Sequence, residues 1–256
     1  MTPSSARSRV RLDEVAAVPD VAPAATVQLP PALAAAREAI ITCERCPRLR
    51  TYCQRIGREK RAAYRDDTYW ARPVPGFGDP NARIVLVGLA PAAHGANRTG
   101  RIFTGDGNGG SGDFLMAALY ANGLSNLLHS RSIDDGLTLH DTWVVSAVRC
   151  APPDNKPTPQ EIHTCHAHLR AELDALPNAR VYVALGRLAF DACWRILADR
   201  GIRAARRPVF EHGGVYRLPG APAVVASYHP SRQNTHTGRL TPAMLRAVFR
   251  RAKALA

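Results

Sequence analysis

The sequence predicts a three-layer α/β/α domain with a central, mostly parallel sheet, and three observations carry that reading. Short apolar runs rich in β-branched residues recur along the chain: IVLV at 84–87, TWVVSAV at 142–148, ARVYVAL at 179–185 and AVVAS at 223–227. None shows a strict polar alternation, as is usual for strands buried on both faces of a parallel sheet. Segments of helical composition separate the runs, and strands alternating with helices specify parallel crossover units. Finally, 256 residues at 46% hydrophobic content can bury a substantial core.

Residues 1–30 are rich in Ala, Pro, Ser and Val without any period, and predict a poorly ordered tail ahead of one domain over 31–256. Ala and Leu between 31 and 41 support a short helix leading to Cys43. The stretch 43–65 is strongly basic, and the Pro- and Gly-rich 73–80 is a turn-rich approach to the first strand. That strand, 84–87, ends at Gly88, and Pro91 keeps the next residues out of a helix. A polar segment with His94, Asn97, Arg98, Thr99 and Arg101 leads to Phe103, Asp106 and a glycine-rich loop. A helix is expected over 113–122, with Gly123 in a usual C-cap position. The second strand runs into Cys150 and the turn Pro152-Pro153-Asp154-Asn155. Thr158-Pro159-Gln160-Glu161 is a helix start, with Thr as N-cap, Pro first and Glu third, and that helix should reach about 176. Gly186 opens a helix toward 199, Val215 and Tyr216 suit a hairpin, and a last helix covers 241–254.

A strand whose carboxyl end opens into a Gly-rich polar loop is where open α/β sheets place ligands. The density of donors beside the isolated Phe103 marks this loop as a candidate site, against the plainer reading of an ordinary strand-to-helix connection. Near the carboxyl end, Tyr228-His229-Pro230-Ser231-Arg232-Gln233-Asn234-Thr235 follows another strand. A His in that place points a ring nitrogen into the same crevice, where it can donate a hydrogen bond to a ligand carbonyl.

The formal net charge is +13, and all but three of the 34 basic residues (Lys60, Lys156 and Lys253) are arginines. So basic a balance argues for a polyanionic partner, most simply nucleic acid. The plainer alternative is a codon bias toward arginine. No apolar run approaches the roughly 18 residues of a membrane span. Arg7, Arg9 and Arg11 are followed by no apolar region of the secretory type, so the expectation is a cytoplasmic protein without membrane association.

Six cysteines are present. Cys43-x-x-Cys46 has the spacing that lets two thiolates reach one centre. Cys150 follows a strand and Cys165 lies in the next helix. Four such thiolates suit Zn²⁺ or a [4Fe–4S] cluster equally, and spacing leaves both open. Cys53 and Cys193 read as small buried hydrophobes.

Three motifs together resemble the family 5 uracil-DNA glycosylases. They are Gly88-Leu89-Ala90-Pro91-Ala92-Ala93-His94-Gly95 with Asn97-Arg98-Thr99-Gly100-Arg101 and Phe103-Thr104-Gly105-Asp106; Cys150-Ala151-Pro152-Pro153 with Asn155-Lys156-Pro157-Thr158-Pro159; and His229-Pro230-Ser231 with Gln233-Asn234-Thr235. The resemblance covers about residues 40–250. It implies the uracil-DNA glycosylase fold and a [4Fe–4S] cluster on Cys43, Cys46, Cys150 and Cys165. It also implies hydrolysis of the N-glycosidic bond of uracil, and of other deaminated bases such as hypoxanthine, in double- or single-stranded DNA. The expected protein is a monomer working at the nucleoid of a bacterium or archaeon.

The implied chemistry assigns roles. Phe103 is the platform for a flipped base, with Gly88, Ala90 and Ser146 around it; His229 stabilises charge on the departing base. Ser146 stands where a neighbouring family carries an Asn that reads uracil, which implies looser base selection. Leu89 and Ala90 occupy the place of the usual polar or acidic residue, so Asp106 becomes the candidate for water or cation, with Asn155 second. Arg98, Arg101, Ser231, Arg232, Gln233 and Asn234 are expected on the DNA. A non-catalytic nucleic-acid-binding module with a cluster or zinc is the alternative function.

Overall fold

The computed structural model describes residues 28–105, 107, 109–206 and 208–256. The expectation for the amino-terminal tail falls almost wholly on residues 1–27, outside that range, and Asp106 lies outside it too.

Four parallel strands form the centre of the sheet: β2 (Ile84–Gly88), β3 (Thr142–Ser146), β4 (Val181–Leu185) and β6 (Ala223–Ser227). Two-residue strands β1 (Phe77–Gly78) and β5 (Val215–Tyr216) close the edges antiparallel, giving the order β1-β3-β2-β4-β6-β5. Short antiparallel edges leave little unpaired backbone for another chain to join.

Every residue of the four central strands is buried, because both faces of the sheet are covered. Ile84, Leu86, Val144, Val183 and Val225 point to one side, against Leu115 and Leu119 of α4 (Ser111–Tyr120) and Leu245 and Phe249 of α8 (Pro242–Leu255). The alternate residues Val85, Val87, Val145, Tyr182 and Val224 point to the other. They meet Leu33 of α1 (Pro31–Ile41), Leu169 of α5 (Pro159–Asp174) and Phe190 and Ile196 of α6 (Arg187–Asp199). The three-layer expectation holds.

The capping box expected at Thr158 is present in both directions: Glu161 N–H donates to the Thr158 hydroxyl and Thr158 N–H to the Glu161 carboxylate. At the end of α4, Gly123 N–H reaches Tyr120 O and Leu124 N–H reaches Leu119 O, the Schellman pattern that the glycine predicts.

Four elements differ from expectation. The second strand stops at Ser146 rather than 148, although Ala147 and Val148 still donate to the carbonyls of Gly88 and Leu89. The basic segment contains a 13-residue helix, α2 (Pro47–Glu59), started by Pro47 and anchored by buried Leu49 and Cys53; its many arginines hide the apolar positions. Two short helices, α3 (Ala96–Thr99) and α7 (Arg232–His236), stand in loops that lead from β2 and β6.

Candidate active site and cysteine cavity

The loops leaving the carboxyl ends of β2, β3 and β6 line one crevice of about 720 Å³. The first supplies Leu89, Ala90, His94 and Phe103, the second Asp154 and Asn155, and the third His229, Ser231, Arg232 and Gln233. A further wall comes from the amino-terminal segment: Tyr52 on α2, then Arg61 and Tyr64. Crevices at the carboxyl ends of parallel strands are the ligand sites of open α/β sheets.

Phe103 is only 8% exposed, and its φ of 54° is a left-handed value that a bulky side chain adopts at a cost of about 1–3 kcal/mol. Its ring lies against the end of β2. A Cβ on Gly88 would stand 3.3 Å from the ring and 3.6 Å from the Ser146 hydroxyl, so any larger residue there would press the ring by a few tenths of an ångström. Ser146 pairs with Gly88 in register, behind the crevice wall, and its Oγ is buried without a partner among the described residues.

The Phe103 and His229 rings stand 5.8 Å apart, inclined at 31°. The His229 loop is held by Asn234, whose Nδ2 donates to the His229 carbonyl at 2.8 Å. Gly186, at φ 99°, comes so near that a Cβ on it would sit 3.4 Å from that of His229. Burial pushes the His229 pKa down to about 4, so the imidazole is neutral at pH 7 with one N–H to donate. Asp154 and Asn155 both adopt left-handed φ values, 53° and 56°, which turn them toward solvent at the crevice. Asp154 is the one carboxylate on the crevice among the described residues.

Three residues expected on DNA are engaged elsewhere. Arg101 is buried and donates to Asp135, Ser130, Thr104 and the Ile133 carbonyl. Arg98 stacks on Tyr64 at 3.9 Å, pairs with Asp67 and donates to the His94 and Gly105 carbonyls, tying the site loop together. Asn234 serves the His229 loop, as above. Alternation of charge in a motif does not reveal which arginines face inward.

The sequence model of the Uracil DNA glycosylase superfamily matches residues 75–253. The chain is 52% identical over 219 residues to a type-5 uracil-DNA glycosylase of Thermus thermophilus, covering 86% of this chain and 96% of that one. It is 48% identical over 218 residues to another of Mycobacterium leprae, covering 85% and 93%. A type-4 uracil-DNA glycosylase of Archaeoglobus fulgidus is 30% identical over 162 residues, 62% of this chain and 70% of that one. The chain belongs to the uracil-DNA glycosylase superfamily.

In this superfamily member Cys43, Cys46, Cys150 and Cys165 border a second, small cavity, together with Arg45, Arg50, Arg149 and His168. Cys46 is the N-cap of α2, and Cys165 lies inside α5. Burial and the neighbouring Cys150 and Cys43 thiols raise the Cys46 pKa, and burial pushes that of Cys165 up to about 12. Such thiols resist ionisation by themselves, and a bound cationic centre removes that resistance. Among the described residues, no three His, Cys, Asp or Glu side chains are arranged around a single metal ion. The four cysteines border one space, an Arg149 N–H reaches the Cys165 sulfur at 3.3 Å, and His168 Nε2 is buried there without a partner among the described residues, a donor set that could hold a metal centre.

Sequence reasoning missed Tyr52, Arg61, Tyr64 and Asp154 on the crevice, and His168 and Cys53 beside the cysteines. Cys53 is not merely packed: its thiol lies against Cys150 and donates to the Ala151 carbonyl at 3.5 Å. The Cys-Pro start of α2 with Leu49, Tyr52 and Cys53 three or four residues apart was the signal that could have found this wall.

Proposed function

We propose that this protein is a DNA repair hydrolase that cleaves the N-glycosidic bond of uracil in DNA and leaves an abasic site. The observation that carries the reading is the pairing of a buried aromatic platform, Phe103, with a neutral imidazole, His229, in one crevice. Chemistry at such a depth requires the nucleotide to leave the duplex stack, at a cost of a few kcal/mol.

The chain's own residues divide the work. Phe103 offers its face to the flipped base. His229 donates its N–H to a base carbonyl, where negative charge grows as the bond to the sugar breaks, and a preorganised donor acts mostly in that transition state. Leu89 and Ala90 give the crevice apolar walls without a base. Asp106, from its place in the first motif, positions water or stabilises the oxocarbenium-like sugar, with Asn155 as the second polar group. A Ser rather than an Asn at 146 favours acceptance of deaminated purines such as hypoxanthine.

DNA, double- or single-stranded, is held by Arg232, Gln233 and Ser231 at the mouth, with the arginine-rich surface around them. Arg61 extends that set. The protein works as a monomer in the cytoplasm, at the nucleoid. Cys43, Cys46, Cys150 and Cys165 would hold a [4Fe–4S] cluster, which when bound supplies a cross-link between the amino-terminal segment, the end of β3 and α5. That cross-link sets the wall formed by Tyr52, Arg61 and Tyr64.

The test is abasic-site formation on a uracil-containing duplex by purified protein, with iron and zinc assayed in the same sample. Cleavage at uracil, with about four irons per chain as a Cys₄-held [4Fe–4S] centre requires, is the expected result. Salt-sensitive binding without abasic sites would leave a non-catalytic binding module, and one zinc in colourless, anaerobically prepared protein would overturn the cluster.

A further inference from the structure

We propose that His168 donates its Nε2–H to a sulfur of the iron–sulfur centre and thereby holds that centre in the protein. The inference rests on the four-cysteine reading of the cavity given above.

His168 stands three residues after Cys165 on α5, hence on the same face of the helix, and borders the same cavity. It is only 6% exposed, and its Nε2 is buried with no hydrogen-bond partner among the described residues. Buried ring nitrogens without partners are rare, because the lost hydration is not replaced. No hydrogen bond joins His168 Nε2 to the acidic residue on the same face of α5, among the described residues. Glu172, one turn further along α5, is paired with Arg149 at 2.8 Å and accepts from Trp143 Nε1 at 3.0 Å. The space that His168 borders with the four cysteines is where its donor finds an acceptor.

That space is rich in sulfur acceptors. Four thiolates on a [4Fe–4S] core leave net negative charge on the sulfurs, and hydrogen bonds to those sulfurs are among the levers a protein uses on such a centre. One N–H···S contact already exists here, from the Arg149 backbone to Cys165. Arg45, Arg50 and Arg149 around the cavity supply compensating positive charge, but Arg50 is engaged with Glu44 and the Ala71 carbonyl. His168 is thus a neighbour whose buried donor has no other assignment. It is a positioning residue for the centre, with no contact to the DNA crevice, whose lining does not include it.

The experiment compares holoprotein of wild type, His168→Leu and His168→Gln, all prepared anaerobically. Leucine keeps the volume and removes the donor; glutamine restores an N–H. Iron transfer to the ferrous chelator bathophenanthroline disulfonate is followed by absorbance. Loss of an outer hydrogen bond to a metal site typically costs about 10–100-fold, so His168→Leu should release iron faster by about that factor. His168→Gln should stay within about threefold of wild type, as a conservative donor swap keeps the outer hydrogen bond. The Fe–S stretching bands in resonance Raman spectra should shift in the Leu variant and recover in the Gln variant. A Leu variant that fails to load iron while the Gln variant loads it supports the same conclusion. Release from His168→Leu at the wild-type rate, or from His168→Gln as fast as from His168→Leu, would overturn the donor role. Wild-type protein without iron would overturn the cluster reading itself, a distinguishable failure.

Discussion

The Phe103 ring stands 5.8 Å from the His229 imidazole and rests on Gly88, so the ends of β2 and β6 share one floor. A base that covers Phe103 therefore sits beside the imidazole. The strained φ of Phe103 and the close packing of Gly186 on His229 are costs that the fold carries at this one place. Strain held at a site by the surrounding structure is a usual mark of preorganisation.

His229 should stay neutral through the physiological range. Its folded pKa of about 4 lies below the value near 6.5 of an unfolded histidine. Between those values the unfolded chain binds the proton and the folded one does not. Stability therefore falls as pH drops from about 6.5 to about 4, and His229 has no effect above that window. Imidazole NMR signals should titrate with a midpoint near the folded value. In His229→Asn, the proton uptake on unfolding, taken from melting midpoints across the window, should fall by nearly one. A midpoint near 6.5 would show the ring to be solvated.

Phe103→Ala should weaken capture of the flipped base more than the bond-breaking step. Stacking of a base on an aromatic ring is worth about 1–3 kcal/mol. Single-turnover excision at subsaturating protein should fall by the matching factor, roughly 5- to 150-fold, and recover partly at saturation. An unchanged half-saturating concentration would remove Phe103 from base binding. Gly88→Ala should reproduce part of the defect, since its Cβ would press on the ring.

Much of this was legible in the sequence, and the exceptions have physical causes. The central strands are continuous apolar runs because the sheet is covered on both faces, so each is visible without context. Thr158 and Gly123 announce their caps by residue type alone. In contrast, α2 carries four arginines, which mask the helical spacing of its inward Leu49 and Cys53 behind the Cys-Pro start. Arg101 and Arg232 are indistinguishable as letters, yet one is buried against Asp135 and the other lines the crevice. Long-range pairing of charges is what a linear reading cannot supply.

That difference is testable. Arg101→Met removes the partner of a largely buried carboxylate. Burial alone would raise the Asp135 pKa, but Arg101 and the N–H groups of Arg131 and Leu137 hold it below the usual range. Breaking a buried pair costs about 3–5 kcal/mol. Arg101→Met should thus lower the unfolding midpoint clearly while the salt dependence of DNA binding keeps its slope. Arg232→Ala should flatten the log–log salt slope by about one unit, as loss of one phosphate contact does. Equal salt slopes in the two variants would place neither arginine on a phosphate.

The last expectation concerns the water. Leu89 and Ala90 cannot orient it, so on the proposed function the water is positioned by another group at the crevice. Asp106 follows Phe103 by three residues in the first motif, and Asp154 is the carboxylate that borders the crevice among the described residues. Removing one electrostatic stabiliser of a transition state typically costs about 2.7–4 kcal/mol, or a hundred- to a thousandfold in rate. Asp106→Ala should slow single-turnover uracil excision by that factor with DNA affinity nearly intact. Asp154→Ala, which removes an exposed side chain from a turn, should slow it by no more than about tenfold, one 1.4 kcal/mol step in the barrier. The opposite ranking would move the water to the Asp154–Asn155 turn. Wild-type rates in both variants would leave the cation to His229, Asn155 and the DNA phosphates.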